Sequence, residues 1–214
     1  MNNKLSTAYL ILIITSLFFG CRGPVKEENK NNASASSVPQ GQKYNIDTKE
    51  SVVTWQGSML LASEGEHTGY VYISKGELMI EKGQLVGGTV EIDMNTIENK
   101  DKENKNSPIK HLKSPDFFDV EKSPISTFAI TRVASANGEN IKVTGNLTIK
   151  GITHPVTFPA KMEVKDGVVK ANGKLIIDRT DWGIRYESGK FYDIIANQTI
   201  SDDIEFLMKI VAKK

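Results

Sequence analysis

Apolar and polar residues alternate with a period of two through most of this chain, from Tyr44 to its C-terminus. The clearest run is KVTGNLTIKG at 142–151, in which Val143, Leu147 and Ile149 alternate with polar side chains. A period of two places successive side chains on opposite faces of a strand and does not match the 3.6-residue period of a helix. The pattern therefore predicts strands with one apolar and one solvated face, as in antiparallel sheets.

Eight segments share this pattern, and turns that contain glycine, such as EKGQ, ANGEN and KDGV, separate several of them. One segment, DKENKNSPIKHLKS, has helical character, and Pro108 limits it to a turn or two. We predict an all-β, eight-stranded antiparallel barrel with a short helical insertion between two strands, because closure removes exposed strand edges. Alternation by itself leaves a two-sheet sandwich as the alternative. The eight segments are SVVTWQG, GYVYISKGELMI, LVGGTVEIDMNTI, STFAITRV, KVTGNLTIKG, VTFPAKMEV, VKANGKLIIDR and DDIEFLMKIVA.

The charge balance argues against one class of partner. The chain has 27 Lys and Arg residues against 26 Asp and Glu residues, for a net charge of +1. Without a basic excess or a basic cluster, it lacks the electrostatic attraction on which nucleic-acid binding depends. We therefore expect no nucleic-acid partner.

The N-terminus resembles the signal of a bacterial lipoprotein. Lys4 precedes the apolar run AYLILIITSLFF, which is short for a membrane span, and the run leads into LFFGC with the chain's only cysteine, Cys21. In lipoproteins the signal is cut before this cysteine, which is then diacylated; Phe18 departs from the usual leucine. An ordinary secretory signal is the alternative.

This reading divides the chain into three parts. Residues 1–20 are the predicted lipoprotein signal peptide, 21–43 the acylated cysteine and a polar, flexible linker, and 44–214 the barrel domain. A diacylated Cys21 would tether the barrel to a membrane. We expect a cell-envelope location, on the outer membrane facing the periplasm, with surface exposure as the alternative.

Five motifs of the barrel domain, in this order, resemble the YceI-like family: YNIDTKESVVTWQG, EIDMNTIENKD, HLKSPDFFDVEKSPISTFAIT, GNLTIKGITHPVTF and DRTDWGIRY. The resemblance covers 44–214, and EHTG at 66–69 with ISDDIEF near the end looks like the Bacteroidetes lipoprotein branch. It implies a lipocalin-like barrel that binds polyisoprenoids and related lipids in the bacterial envelope.

From this resemblance we expect a lumen that holds a long-chain isoprenoid or related lipid, for example a quinone, for sequestration or transport. A structural or stress-related envelope protein with a filled barrel is the alternative, and a lipid hydrolase or isomerase is a third reading. We expect no enzyme activity, cofactor or metal. The sequence leaves the oligomeric state open, with a homodimer as one alternative.

The inward strand positions and the adjacent rings in PDFFD supply the candidate lipid-binding residues. Small inward residues, Ala160, Ala171, Gly145 and Gly173, should leave space in the lumen. The candidate lipid-binding residues are Val53, Trp55, Val71, Ile73, Val90, Ile92, Phe117, Phe118, Phe128, Ile130, Leu147, Phe158, Leu175, Trp182 and Phe206.

Two polar residues are candidates for contact with a ligand head group. His67 lies in a glycine-flanked loop, and Arg179 shares the inward phase of Ile177. A buried guanidinium requires a partner, which could be Asp181, Asp178 or the head group.

Other polar residues indicate no further chemistry. The three histidines, His67, His111 and His154, lack the spacing of metal ligands. We expect His154 in a hairpin turn and the pair Asp202-Asp203 at a solvated strand entry. No Gly-x-Ser-x-Gly nucleophile motif is present.

Overall fold

The computed structural model describes residues 41–58, 66–103, 107–193 and 199–214. The predicted signal peptide, Cys21 and the linker up to residue 40 lie outside these ranges. Within the described ranges, no helix has the length and apolar character needed to cross a bilayer.

The described chain consists almost entirely of strands, as the alternation predicts. Between β4 and β5 lies one short helix, α1 (Ile109–Leu112), and a 3₁₀ turn (Arg179–Trp182) follows β8. The strands are β1 (Gln42–Ile46), β2 (Val52–Ser58), β3 (Glu66–Glu81), β4 (Gln84–Asn99), β5 (Ile125–Ser135), β6 (Asn140–Ile149), β7 (Ile152–Lys165), β8 (Val168–Asp178) and β9 (Asp203–Lys213).

The strands close into an antiparallel barrel. From β2 to β9 each strand pairs with the next one along the chain, and β9 pairs with β2 to complete the ring. β1 and β2 both lie between β3 and β9, so together they occupy one of eight positions. The predicted eight-stranded barrel with a short helical insertion is confirmed, and the sandwich alternative is wrong. The prediction missed that the first position is made of two strands.

The break between β1 and β2 is fixed by side chains. The Ser51 hydroxyl accepts a hydrogen bond from the Val211 backbone N–H at 2.9 Å and lies 3.2 Å from the Val211 carbonyl, to which it donates. The Lys213 ammonium lies 2.7 Å from Asp47 Oδ2 and 2.6 Å from Glu50 Oε1. These contacts satisfy polar groups where the sheet ladder is interrupted.

Bulges shift the alternation within the two longest strands. In β3 the buried positions change from Val71 and Ile73 to Leu78 and Ile80, across an irregularity in pairing with β4 between Ile73 and Lys75. A bulge adds a residue to one strand and so reverses which face the following residues occupy. The alternation of this strand therefore changes phase near Lys75 and Gly76.

The two ends of the barrel differ. At one end, which we call the hairpin end, short turns connect β3 to β4, β5 to β6 and β7 to β8. At the other end, the capped end, two longer connections link β4 to β5 and β8 to β9. The first of these includes the capping segment, residues 107–124. It is attached to β4 because Lys113 Nζ donates to the Asn95 carbonyl at 2.6 Å and the Met94 N–H donates to the Pro124 carbonyl at 2.8 Å.

Candidate functional site: the barrel lumen

A cavity of about 480 Å³ lies inside the barrel, and its wall is made mainly of apolar side chains. On β9 the alternate residues Ile204, Phe206, Met208 and Ile210 all line it. At ~3.3 Å per residue this series extends ~20 Å along the strand. The cavity thus follows the barrel rather than forming an isolated pocket in its wall.

The inward strand positions predicted from the alternation form most of the cavity wall. Of the fifteen candidate lipid-binding residues, fourteen line the cavity, and Trp182 does not. Whether they contact a ligand stays a prediction. The fourteen are Val53, Trp55, Val71, Ile73, Val90, Ile92, Phe117, Phe118, Phe128, Ile130, Leu147, Phe158, Leu175 and Phe206.

Trp182 is buried at 2% exposure but packs within the barrel wall. β7 pairs with β8 only from Ala160 onward, so its first half has no partner on that side. Trp182 packs there against His154, with ring centroids 5.2 Å apart, and its Nε1–H donates to the Leu147 carbonyl at 3.2 Å. His154 belongs to β7, so its predicted position in a hairpin turn is wrong.

Sequence reasoning missed several wall residues. Leu78, Leu85 and Ile97 are separated by pairing irregularities from the positions whose inward phase the sequence predicted, so that phase does not hold for them. Leu112 belongs to α1, which has no strand period to read. The apolar runs Leu78–Ile80 and Leu85-Val86 were the available signal, but a continuous apolar run does not indicate which of its residues faces the lumen.

The small inward residues do not all leave space. A Cβ atom on Gly145 would lie 2.4 Å from Cζ of Phe128, so the Phe128 ring already occupies that position. At Gly173 a Cβ would meet the Phe158 ring at 3.1 Å. Ala160 and Ala171 line the cavity. Our expectation was wrong for Gly145, since a large side chain on the adjacent strand fills the gap.

Phe117 and Phe118 close the capped end from the capping segment. Both rings are buried and both line the cavity. The Phe117 ring contacts His111 edge to face, with centroids 5.1 Å apart, and lies 5.8 Å from the ring of Tyr186. Burying one such ring is worth about 1.5–3 kcal/mol, which is enough to hold a polar connection in place.

Arg179 is fully buried beside these rings, with its guanidinium carbon 5.6 Å from the Phe117 centroid. Its ion-pair partner is Asp202, whose Oδ1 lies 3.2 Å from Nη2. Asp202 was not among the candidate partners that the sequence suggested. Three backbone carbonyls accept hydrogen bonds from the guanidinium: Ser201 from Nε at 2.9 Å, Ile184 from Nη1 at 3.0 Å and Ile200 from Nη2 at 3.1 Å.

Burial lowers the pKa of Arg179 from its ordinary value, and nearby carboxylates, led by Asp202, oppose that shift. An arginine stays protonated across the physiological range, so the capped end contains a fixed positive charge.

The predicted solvated position of Asp202 is wrong. Its carboxylate is 15% exposed, pairs with Arg179 and accepts a hydrogen bond from Ser188 Oγ at 3.0 Å.

The cavity is polar toward the capped end and apolar toward the hairpin end. His67, His111, Arg179 and Ser201 line its capped end. Toward the hairpin end the wall includes Leu78, Leu85, Ile141 and Val143. Among the described residues, no three His, Cys, Asp or Glu side chains form a group that could hold a metal ion. The lumen therefore offers an apolar tunnel with polar groups near one end.

Curated bacterial proteins are similar in sequence to about half of this chain. A UPF0312 protein of Pseudomonas aeruginosa strain LESB58 is 36% identical over 107 residues, 47% of this chain and 51% of the relative. A UPF0312 protein of Shewanella denitrificans is 32% identical over 123 residues, 55% of this chain and 60% of the relative. The chain thus spans about half the length of the curated relatives it matches. The relatives come from Proteobacteria, so the Bacteroidetes branch stays a prediction.

Two solved structures have the same fold. The crystal structure of Burkholderia cenocepacia BcnA aligns with a TM-score of 0.64 and 22% identity, covering 78% of this chain and 99% of that one. A polyisoprenoid binding domain from Saccharophagus degradans aligns with a TM-score of 0.59 and 12% identity, covering 79% and 97%. Residues 44–212 match the family model of the YceI-like domain. This chain belongs to the YceI-like domain family.

Proposed function

We propose that this protein binds a long-chain isoprenoid or a related lipid, such as a quinone, inside its barrel, without covalent chemistry. The observation that carries the proposal is the apolar cavity of about 480 Å³ that follows the barrel wall. The solved polyisoprenoid binding domain of Saccharophagus degradans, which has the same fold, supports the ligand class.

The cavity suits a chain-like apolar ligand. Small-molecule sites usually enclose about 300–1,000 Å³, and this one falls within that range. Each buried methylene contributes about 0.8 kcal/mol, so a long tail gains affinity from wall contact alone. The cavity also favours binding over the alternative of a structural barrel, whose lumen would be filled by side chains.

The polarity of the wall suggests how the ligand lies. The apolar tail would extend toward the hairpin end, past Leu85 and Ile141, and the polar head would lie near His67 at the capped end. Arg179 is a weaker head-group candidate, since Asp202 and three carbonyls already engage its guanidinium. This orientation leaves polar atoms near polar partners and methylene groups near apolar wall.

The cellular part of the proposal rests on the sequence. Diacylation of Cys21 would tether the barrel to the outer membrane, facing the periplasm, through the polar linker. A tethered lipid-binding barrel could sequester an isoprenoid or carry it across the envelope. We propose a binding role rather than catalysis, because the polar groups in the described lumen wall include no nucleophile paired with a base.

The decisive experiment is ligand detection on the purified protein. Native mass spectrometry of protein from bacterial envelopes should show added mass, and solvent extraction should release an isoprenoid lipid. After delipidation, the protein should bind a long-chain prenol or a quinone with a similar tail at one-to-one stoichiometry. If material from native envelopes contains no lipid and the delipidated protein takes up neither probe, the proposal is wrong.

A further inference from the structure

The cavity stops short of the hairpin end of the barrel. On β9 the inward residues from Ile204 to Ile210 line it, but the next inward residue, Ala212, does not line it and is fully buried. The same change occurs on β8 between Ala171, which lines the cavity, and Val169, which is 0% exposed. Packed side chains therefore lie between the cavity and the hairpin end.

These side chains form one layer across neighbouring strands, which we call the floor. Val169 lies opposite Ala212 in the pairing of β8 with β9, and Ala212 lies opposite Ile46 in the pairing of β9 with β1. On β7 the layer continues with Met162, two residues after Ala160 of the cavity wall. The floor consists of Ile46, Ile80, Met162, Val169 and Ala212, which are all buried apolar residues and do not line the cavity.

The floor limits how much of a lipid tail the barrel can bury. A prenyl unit adds affinity only while its carbon atoms lie against apolar wall. A tail longer than the cavity must either displace the packed floor, which is costly, or leave its excess carbon atoms among the polar groups of the capped end. Above a certain tail length, a further prenyl unit should add no affinity.

Met162 is the floor residue best placed to set this limit. It lies opposite Ala171 in the pairing of β7 with β8, so their side chains are neighbours on the inner face of the barrel. Its other inward neighbour along β7 is Ala160. Both neighbours are small and line the cavity, so Met162 is the first long side chain below this part of the lumen. Shortening it would join its volume to the cavity.

We propose that the floor, and Met162 in particular, determines the longest isoprenoid tail that the lumen can bury. This inference rests on the proposed function and adds a determinant of tail length to it. The series from Ile204 to Ile210 gives the available depth, which is ~20 Å along β9.

The test measures affinity against tail length. The probes are all-trans prenols from geraniol upward, each one prenyl unit longer than the last, and each displaces a fluorescent prenyl probe from the delipidated protein. For the wild-type protein we expect each unit to raise affinity more than about ten-fold while the tail fits. At one member of the series the gain should stop, and this member defines the length limit.

Two variants should move the limit in opposite directions. Met162→Ala deepens the cavity and should shift the limit to a longer prenol. Ala160→Leu fills space directly above the floor and should shift it to a shorter one. Because Ala160→Leu adds a side chain to the cavity rather than removing one from the packed floor, it tests the proposal even if Met162→Ala does not fold.

The control is Ile184→Ala. Ile184 is 0% exposed and lies outside the described cavity wall, so its truncation should destabilise the fold as a core cavity does and leave the length limit unchanged. A shift of the limit by this variant equal to that of Met162→Ala would overturn the assignment, because loss of stability alone would then explain both.

The other outcomes separate this inference from the proposed function. If no prenol binds the wild-type protein, the proposed function fails. If affinity keeps rising through the longest prenol, or if Ala160→Leu and a folded Met162→Ala both keep the wild-type limit, the inference about the floor is overturned and lipid binding stands.

Discussion

Arg179 and Asp202 stand at the two ends of the connection between β8 and β9 and form an ion pair, 3.2 Å from Nη2 to Oδ1, at the capped end of the barrel. Asp202→Asn would leave the fully buried guanidinium without its counter-ion. We expect a loss of about 3 kcal/mol in the free energy of unfolding, measured by urea denaturation at neutral pH. Asp203→Asn, at the exposed neighbouring residue, is the matched control and should change stability by less than about 0.5 kcal/mol. Equal effects of the two variants would contradict a structural role for the pair.

Gly69 should resist substitution because the Trp55 ring lies against it. In Gly69→Ala the new Cβ would approach the Glu98 carbonyl oxygen to 2.0 Å and the indole to 2.4 Å. We expect a destabilisation of about 1–3 kcal/mol by urea denaturation, since neither backbone nor ring has room to move. At Gly57 on β2, which lines the cavity, a Cβ would meet nothing within 4 Å. Gly57→Ala should therefore be neutral or slightly stabilising, and a comparable loss there would argue against the steric explanation.

Filling the lumen should abolish lipid binding and preserve the fold. Ala171 on β8 lines the cavity, and Ala171→Phe would place a ring in it. The control is Lys170→Phe, because Lys170 is the exposed residue before it on the same strand. Native mass spectrometry with a long-chain prenol should show the complex for Lys170→Phe and none for Ala171→Phe, with both far-ultraviolet spectra typical of strands. Undiminished binding by Ala171→Phe would place the lipid elsewhere.

The rings of the capping segment should control how fast a ligand leaves. Phe118→Ala removes a buried ring from the cavity wall, and we expect release at least about ten-fold faster, since one such ring contributes about 1.5–3 kcal/mol. Stopped-flow displacement of a fluorescent prenyl probe measures the rate. Phe191→Ala is the control, because Phe191 belongs to the β8–β9 connection but is 46% exposed and lies outside the described cavity wall. Equal release rates in the two variants would show that Phe118 does not retain the ligand.

The hydrogen bond from the Tyr72 hydroxyl to Glu98 Oε1, 2.6 Å long, predicts a pH dependence of stability. This bond lowers the pKa of Glu98 from its ordinary value of 4.5, and it is also the main cause of the raised pKa of Tyr72. Because the folded-state pKa of Glu98 is the lower one, its contribution is complete above the unfolded pKa and is lost as the pH falls through the folded pKa. The raised pKa of Tyr72 means that its contribution is complete below its ordinary value of 10.0 and is lost at higher pH.

Tyr72→Phe removes this bond. We expect it to cost about 1 kcal/mol at pH 7. The difference from the wild-type protein should shrink as the pH is lowered below about 4.5, as measured by urea denaturation across pH 3–7. A difference that stays constant over this range would show that the carboxylate does not contribute.

The sequence predicts the inward residues of this barrel correctly where the alternation along a strand is regular. β6 and β8 keep one phase along their inward series, so their wall residues Leu147 and Leu175 follow directly from the pattern. In β3 and β4 the bulges reverse the phase, and nothing local in the sequence states where the extra residue falls. Leu78 and Leu85 were therefore missed although both are apolar.

The site was predicted less well than the fold, because its polar part depends on contacts between distant segments. The phase of β8 correctly indicated a buried Arg179. Its partner Asp202 follows the β8–β9 connection, and the pairing of Asp178 with Asp203 brings it close. The position of the Trp55 ring against Gly69 likewise depends on the packing of neighbouring strands, which no single segment encodes.

The pairing of β2 with β9 closes the barrel. In this pair, Trp55 near the start of the domain lies opposite Phe206 near its end. A chain still emerging from the ribosome exposes two unpaired sheet edges until β9 has been made. Such a domain should fold late and cooperatively, because its closing contacts carry the full entropy of joining distant residues.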